Sequence, residues 1–238
     1  MSAVPTGMGA AGGHPPADTA SRKPLRIADG SLHALKWLGL VLMTLDHVNK
    51  YLLQGQAAWM FEAGRLVMPL FSFVLAYNLA REGPGTRGAA ARTARRLVVV
   101  GLLATPICWL LQGPWPLNIL LTLASAAAVI SLLENGRTLA GLALALAGGF
   151  LVEFWWPAIG ATIAAWYFCR SPSWRPALAW TGCIAALTPV NGNLWAFACV
   201  PLLFIAASST VRLPRSKWFF YAYYPAHLGV VWCAQRML

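Results

Sequence analysis

The first long apolar run of the sequence contains an acid and an imidazole side by side, Asp46 and His47. Ionisable side chains are costly inside a bilayer, so each one within an apolar run is expected to have a partner or a function. Lys36 precedes His47 by eleven positions. That is roughly three helical turns or about 16 Å, which places both residues on one face of a helix at two depths. Asp46 is turned by about 100° from His47 and is predicted to face a neighbouring helix.

Arg65, near the start of the second apolar run, is the predicted partner of Asp46. The two runs are joined by a short connection, so antiparallel helices would bring Arg65 to the end of the first helix that carries Asp46 and His47. Pro69 follows in the same run and is predicted to kink this helix or to free a backbone carbonyl in its wall. The sequence therefore predicts three ionisable groups at one depth.

His47 is the member of this group that suits a transfer reaction. The ordinary pKa of an imidazole is near neutrality, so the ring can take a proton from an amine or hydroxyl nucleophile and return it. A second imidazole, His227, follows Tyr224 in the last apolar run, about ten residues from Lys217 and so near mid-membrane depth. His227 is expected either to belong to the site or to hydrogen-bond within a helix interface.

Two other polar pairs each have two interpretations. Arg95 and Arg96 could bind the phosphates of a nucleotide at the cytoplasmic face, or could anchor the topology of the chain. Asn118 and Thr122 are four residues apart and share a helix face, where they could line a polar channel or link neighbouring helices. The sequence does not decide between these alternatives.

The composition is that of a membrane protein. Of the 238 residues, 58% are hydrophobic and 11% are charged, which is not typical of a water-soluble domain. The net charge of +11 does not indicate nucleic-acid binding, because the basic residues lie mostly between apolar runs. Residues 1–30 are rich in Gly, Ala, Pro and Ser and are predicted to be a disordered cytoplasmic tail. Residues 31–238 are predicted to be one transmembrane domain.

The apolar runs predict an all-α polytopic bundle of about nine transmembrane helices in a bacterial inner membrane. The predicted helices lie near 33–53, 62–80, 95–112, 117–134, 138–153, 156–170, 176–190, 193–209 and 217–236.

Basic residues concentrate in alternate connections, which predicts a cytoplasmic N-terminus and an external C-terminus. These residues are Arg22, Lys23, Arg26, Arg81, Arg87, Arg92, Arg95, Arg96, Arg137, Arg170, Arg175, Arg212, Arg215 and Lys217. Lys50, Arg65 and Arg236 are the exceptions.

The five cysteines are odd in number and lack the spacing of a metal site or a disulfide framework. They are predicted to be free thiols that fill small apolar spaces, and no metal site is expected.

Several segments together resemble the TraX family of conjugative F-pilin acetylases. The resemblance covers nearly all of residues 32–235, and its motifs are Leu35-Lys36 to Met43-Thr44-Leu45-Asp46-His47, Gly64-Arg65 to Pro69-Leu70-Phe71-Ser72-Phe73, Arg96-Leu97 to Thr105-Pro106, Leu117-Asn118 to Thr122-Leu123, and Tyr221 to Tyr224-Pro225-Ala226-His227-Leu228. The spacing of Lys36 and His47 also resembles a basic-x10-His pattern in the wider membrane acyltransferase-3 group.

The resemblance implies an acyltransferase that uses acetyl-CoA as its co-substrate. It implies His47 as general base, Asp46 and Arg65 as its electrostatic support, and a pilin N-terminus as acceptor, with sugars or lipids as alternatives. Acetyl-CoA is expected to dock near Lys36, Arg95 and Arg96, and the acyl-binding residues are expected to include Asn118, Thr122, Tyr224 and His227. A proton-coupled transporter and a noncatalytic scaffold for pilus or envelope assembly stay open as alternatives.

Overall fold

The computed structural model describes residues 24–81, 88–213 and 217–238. In these ranges the chain forms eleven α-helices and one short 3-10 helix, and extended pairing is limited to one isolated bridge between Leu117 and Val152. The predicted all-α class is therefore confirmed. The helices are α1 (Asp29–Tyr51), α2 (Ala58–Gly64), α3 (Val67–Ala80), α4 (Ala89–Gln112), α5 (Ile119–Glu134), α6 (Thr138–Leu151), α7 (Trp155–Arg170), α8 (Trp174–Ala185), α9 (Thr188–Asn191), the 3-10 helix (Trp195–Ala198), α10 (Cys199–Ser208) and α11 (Lys217–Met237).

Each apolar run predicted to be helical is helical, but three of them are divided into two shorter helices. The divided runs are 62–80, 176–190 and 193–209. In each case a proline lies within the first three residues of the second helix, as Pro69 in α3, Pro189 in α9 and Pro201 in α10. Proline has no N–H to donate to the preceding turn, so a helix restarts there instead of continuing. The kink predicted at Pro69 is thus a helix break.

The segment before α1 contacts the helical bundle. Residues 1–23 of the predicted tail lie outside the described residues, but residues 24–30 are packed on the bundle. The backbone N–H of Leu25 donates to the carbonyl of Cys169 at 3.2 Å, and that of Ile27 donates to the Tyr77 hydroxyl at 2.7 Å. These bonds and the burial of Ile27 attach this segment to the bundle.

Helices α3, α5 and α7 form the centre of the bundle and pack against one another. Their facing surfaces carry small and branched side chains that are almost fully buried, including Leu70, Ala126 and Ala161. A buried hydrogen bond of 2.9 Å between the hydroxyls of Ser72 and Thr162 links α3 to α7. The remaining long helices surround this centre, and α11 packs against α1 and α4.

Two helical stretches among the described residues are long and apolar enough to cross a membrane by length and composition, Ala58–Ala80 and Ala89–Gln112. The first contains α2, the short turn and α3. Its most apolar 18-residue stretch is 72% buried, and the corresponding stretch of α4 is 33% buried. Three shorter apolar stretches accompany them, and these are Ile119–Glu134, Thr138–Leu151 and Trp195–Ser208.

Candidate functional site

A cavity of about 610 Å³ lies at one end of the bundle, where α1 ends, α4 ends and α7 begins. Four charged residues line it, Asp46, Lys50, Arg65 and Glu153. Since two are acidic and two are basic, the formal charges of the lining cancel. The other lining residues include His47, Asn49, Tyr51, Gln54, Phe61, Cys108, Gln112 and Tyr224. The cavity therefore combines charged groups, an imidazole and hydroxyl donors in one space.

The predicted ion pair between Asp46 and Arg65 is present. Nη2 of Arg65 lies 2.7 Å from Oδ1 of Asp46, with side-chain exposures of 12% for Arg65 and 18% for Asp46. Nε of Arg65 also donates to the carbonyl of Phe61 at 3.1 Å, and the guanidinium lies 4.2 Å from the centre of the Phe61 ring. Arg65 is thus fixed from two sides, and the Asp46 carboxylate is engaged by Arg65.

His47 and His227 form a hydrogen-bonded pair with nearly parallel rings. Nδ1 of His47 lies 2.7 Å from Nε2 of His227, and the ring centres are 5.0 Å apart with planes inclined by 8°. Nδ1 of His227 lies 3.0 Å from the backbone carbonyl oxygen of Tyr223. The ring of Tyr224 meets His227 edge-on at 5.6 Å. His227 is not among the residues that line the cavity, and its buried ring links α11 to α1 through the contact with His47.

Two charged residues of the cavity were missed by sequence reasoning, Lys50 and Glu153. Nζ of Lys50 lies 3.3 Å from Oε1 of Gln112, and the hydroxyl of Tyr51 donates to the same oxygen at 3.1 Å. The signal for Lys50 was its position outside the alternating pattern of basic residues. The signal for Glu153 was an isolated acid between two apolar runs.

The segment around Glu153 is held in place by α5 and the residues before it. The N–H of Glu153 donates to the carbonyl of Leu117 at 2.8 Å, and its carbonyl accepts from the Thr122 hydroxyl at 2.9 Å. Phe154 and Trp155 follow with φ of 61° and 51°. Two successive non-glycine residues in the left-handed region are rare, and such strain is most common near functional sites.

Asn118 and Thr122 do not line the cavity but connect helices beside it. The Asn118 amide donates to the carbonyl of Gly101 at 2.9 Å and to the Thr105 hydroxyl at 3.2 Å, so it links the start of α5 to α4. Its Oδ1 accepts from the N–H of Leu120 at 3.2 Å and caps α5. These contacts correspond to the helix-linking alternative.

The basic residues expected to bind acetyl-CoA lie away from the cavity. Lys36 lies about 16 Å from His47 along α1, toward the N-terminal end of the helix. Its Nζ lies 5.7 Å from the centre of the Phe220 ring. Arg95 and Arg96 are exposed near the start of α4. The structure thus separates Lys36, Arg95 and Arg96 from the cavity that contains Asp46, His47 and Arg65.

Within the described ranges, no group of three or more His, Cys, Asp or Glu residues is arranged to hold a metal ion. The five cysteines are free thiols, as predicted. Cys108 lines the cavity, and its Sγ lies 3.9 Å from the Tyr224 hydroxyl. The lining of the cavity offers imidazole, carboxylate, guanidinium, ammonium, thiol and hydroxyl groups.

Comparison with known proteins identifies relatives of this sequence. A family model described as TraX protein matches residues 31–235. A curated relative, Protein TraX of Escherichia coli, is 31% identical over 226 residues, which cover 85% of this chain and 86% of that protein. Protein TraX of Escherichia coli strain K12 is 43% identical over 65 residues, or 27% of this chain and 26% of that protein. No solved structure matches.

Proposed function

Because this chain belongs to the TraX family, we propose that it is an integral membrane enzyme that moves an acetyl group from cytoplasmic acetyl-CoA to an acceptor amine or hydroxyl. We place it in a bacterial inner membrane as a multi-pass protein. The family resemblance noted in the sequence implies a pilin N-terminus as acceptor. The chemistry proposed below applies equally to any amine or hydroxyl that enters the cavity.

The exposed surface of the bundle supports insertion in a bilayer. Helix α4 is apolar, yet most of its surface faces outward, and Leu102 and Leu103 are 58% and 70% exposed. Leu139, Phe204 and Val230 are similarly exposed on other helices. A water-soluble protein does not usually present so many large apolar side chains, whereas lipid acyl chains would cover them.

The distribution of basic residues supports a cytoplasmic N-terminus. Arg137 lies between α5 and α6, Arg170 ends α7 and Arg175 is the second residue of α8, all at the same end of the bundle as the start of α1. This end carries most of the basic residues that the structure describes. The cavity lies at the opposite end, near the C-terminal end of α1. In this orientation the cavity faces the periplasm and Lys36, Arg95 and Arg96 face the cytoplasm.

The observation that carries the proposed chemistry is the position of His47 in the cavity beside the Asp46–Arg65 ion pair. His47 takes the proton from the acceptor while its nitrogen or oxygen forms a bond to the thioester carbonyl carbon. Arg65, or a tyrosine or asparagine donor, stabilises the oxyanion. The carbon–sulfur bond then breaks, and the thiolate of CoA receives the proton from the His47 imidazolium.

The donor enters this scheme from the cytoplasmic end. Lys36, Arg95 and Arg96 attract the phosphates of acetyl-CoA, and its thioester reaches toward His47. The surrounding helices exclude water, which limits hydrolysis of the thioester.

The test compares His47→Ala with His33→Ala, a control that removes an imidazole from the other end of the same helix. Purified protein in lipid nanodiscs is supplied with acetyl-labelled acetyl-CoA and a peptide that has a free N-terminal amine. We expect His47→Ala to lower the transfer rate by about 10²- to 10⁴-fold, the usual contribution of a general base. Both variants must keep the thermal stability of the wild type.

The same preparations separate the enzyme from its alternatives. Acetyl-CoA binding measured by calorimetry is expected to survive His47→Ala and to weaken in Arg95→Ala/Arg96→Ala. A transporter predicts proton-coupled flux without acetyl-CoA binding, and a scaffold predicts that His47→Ala has no effect once folding is controlled. Full transfer by a stable His47→Ala variant would remove His47 as the base.

A further inference from the structure

The hydrogen bonds around His227 define which of its nitrogens carries a proton. A backbone carbonyl oxygen can only accept, and the carbonyl of Tyr223 lies 3.0 Å from Nδ1 of His227. Nδ1 of His227 must therefore carry the hydrogen of this bond. A neutral imidazole has one N–H, so Nε2 of His227 is left as an acceptor.

The proton of the bond between the two rings consequently belongs to His47. Nδ1 of His47 lies 2.7 Å from Nε2 of His227, and an acceptor there requires a donor on His47. In a neutral His47 the opposite nitrogen, Nε2, then has a free lone pair. Both tautomers are assigned from the hydrogen-bond network, which starts at the Tyr223 carbonyl because this oxygen can only accept.

The surrounding charges favour two neutral rings. The Asp46 carboxylate is paired with Arg65, so it does not balance a charge on His47. The cavity beside His47 also contains the cations Lys50 and Arg65, and its other carboxylate is that of Glu153. A positive charge on either ring of this buried pair would be costly so close to the cations Lys50 and Arg65.

A second polar contact fixes the register of α11 against α1 one turn away. The Thr44 hydroxyl donates to the carbonyl of Leu40 at 2.8 Å. The Tyr223 hydroxyl lies 2.7 Å from the same Thr44 oxygen, so Tyr223 is the donor of that bond. The two bonds together set both the depth and the rotation of α11 relative to His47.

We propose that His227 is a positioning residue for His47, which it holds in the Nδ1–H tautomer so that Nε2 of His47 takes the proton from the acceptor. This inference rests on the acyltransferase function proposed above. The same bond persists after proton uptake, because Nδ1 of the His47 imidazolium still donates to Nε2 of His227. No rearrangement of the ring pair accompanies the reaction, which is the usual advantage of a preorganised site.

Two substitutions of His227 separate tautomer control from packing. In His227→Gln the amide oxygen can accept from Nδ1 of His47, whereas His227→Leu fills similar space without an acceptor. We expect His227→Leu to lower kcat by about 10- to 100-fold, less than removal of the base, while His227→Gln stays within about threefold of wild type. The KM for acetyl-CoA should be unchanged in both, and His33→Gln is the matched control.

Nitrogen-15 NMR of histidine-labelled protein tests the tautomers without any reaction. The chain has four histidines, so His14→Asn/His33→Gln leaves only the pair of interest. Bare and protonated ring nitrogens have well-separated shifts, and we expect a bare Nε2 on both rings. In the same background, His227→Leu should remove the preference of His47 for the Nδ1–H form.

The outcomes distinguish this inference from the proposed function. Loss of transfer in His47→Ala, together with normal kcat in His227→Leu, would overturn the positioning role and keep the enzyme. A proton on Nε2 of His47 in the wild-type pair would also overturn it. Full transfer by His47→Ala would remove the function on which the inference rests, whatever the NMR spectra show.

Discussion

The backbone of Gly64 lies directly against the side chain of Asp46. A β-carbon built on Gly64 would come within 2.5 Å of Oδ1 and 2.6 Å of Cγ of Asp46, distances that real β-carbons do not reach. Gly64 ends α2, and Arg65 follows it immediately. The absence of a side chain at position 64 therefore lets the carboxylate of Asp46 sit beside the backbone that carries its partner.

Gly64→Ala is expected to displace Asp46 and to weaken the Asp46–Arg65 pair. Overpacking of this kind usually lowers stability by about 1 to 3 kcal/mol. Thermal unfolding of the purified protein measures this loss, and transfer activity should fall with it. Gly182→Ala is the matched control, because a β-carbon on this helical glycine meets nothing within 4 Å. Equal stability of the two variants would contradict the close contact.

The ion pair itself makes a second prediction. Asp46→Asn and Arg65→Ala should each lower stability by roughly 1.5 to 3 kcal/mol, the usual contribution of a hydrogen bond to a charged group. Arg65→Lys keeps the charge but loses the planar guanidinium that also contacts Phe61. We therefore expect Arg65→Lys to have a lower rate of acetyl transfer than the wild type. A double-mutant cycle on thermal unfolding checks the pair. Additive losses would mean that Asp46 and Arg65 do not interact.

The sequence was sufficient to predict this pair because its geometry is local. Asp46 and Arg65 lie on consecutive helices joined by a short connection, so helical periodicity and chain direction bring them together. The same periodicity located every long helix, although it did not show that Pro189 and Pro201 would begin new ones. Local rules thus predict elements and their nearest neighbours.

The rest of the site depends on which distant helices pack together, and periodicity does not contain that information. The bond between His47 and His227 joins residues 180 positions apart. Glu153 reaches the cavity because its backbone pairs with Leu117, which no spacing in either segment indicates. Sequence reasoning therefore assigned single residues to a site without showing how α11 completes it.

Asn118 is expected to support the fold and not to bind acetyl-CoA. Its side chain caps α5 and donates to the carbonyl of Gly101 and the hydroxyl of Thr105 on α4. Asn118→Ala should lower stability by about 1 to 2 kcal/mol through loss of the cap and of these bonds. Calorimetry should give an unchanged acetyl-CoA affinity. A weaker affinity at normal stability would return Asn118 to the binding site that the sequence predicts.

The proposed topology predicts which positions a membrane-impermeant thiol reagent can reach from the periplasm. In a background without the native cysteines, Gln56→Cys lies between α1 and α2, Asn135→Cys lies between α5 and α6, and Leu238→Cys is the last residue. All three native side chains are exposed, so protection of a cysteine would reflect its side of the membrane. We expect spheroplasts to be labelled at Gln56→Cys and Leu238→Cys, and at Asn135→Cys only after permeabilisation.

Leu238→Cys is the decisive position in this experiment. An odd number of crossings separates it from the cytoplasmic N-terminus when α6 and α7 each cross the membrane. If α6 and α7 together made a single crossing, the C-terminus would change sides while Gln56→Cys stayed accessible. Protection of Leu238→Cys in spheroplasts would therefore revise the number of crossings. Labelling of Asn135→Cys in intact spheroplasts together with protection of Gln56→Cys would reverse the whole orientation, and the cavity around His47 would then face the cytoplasm.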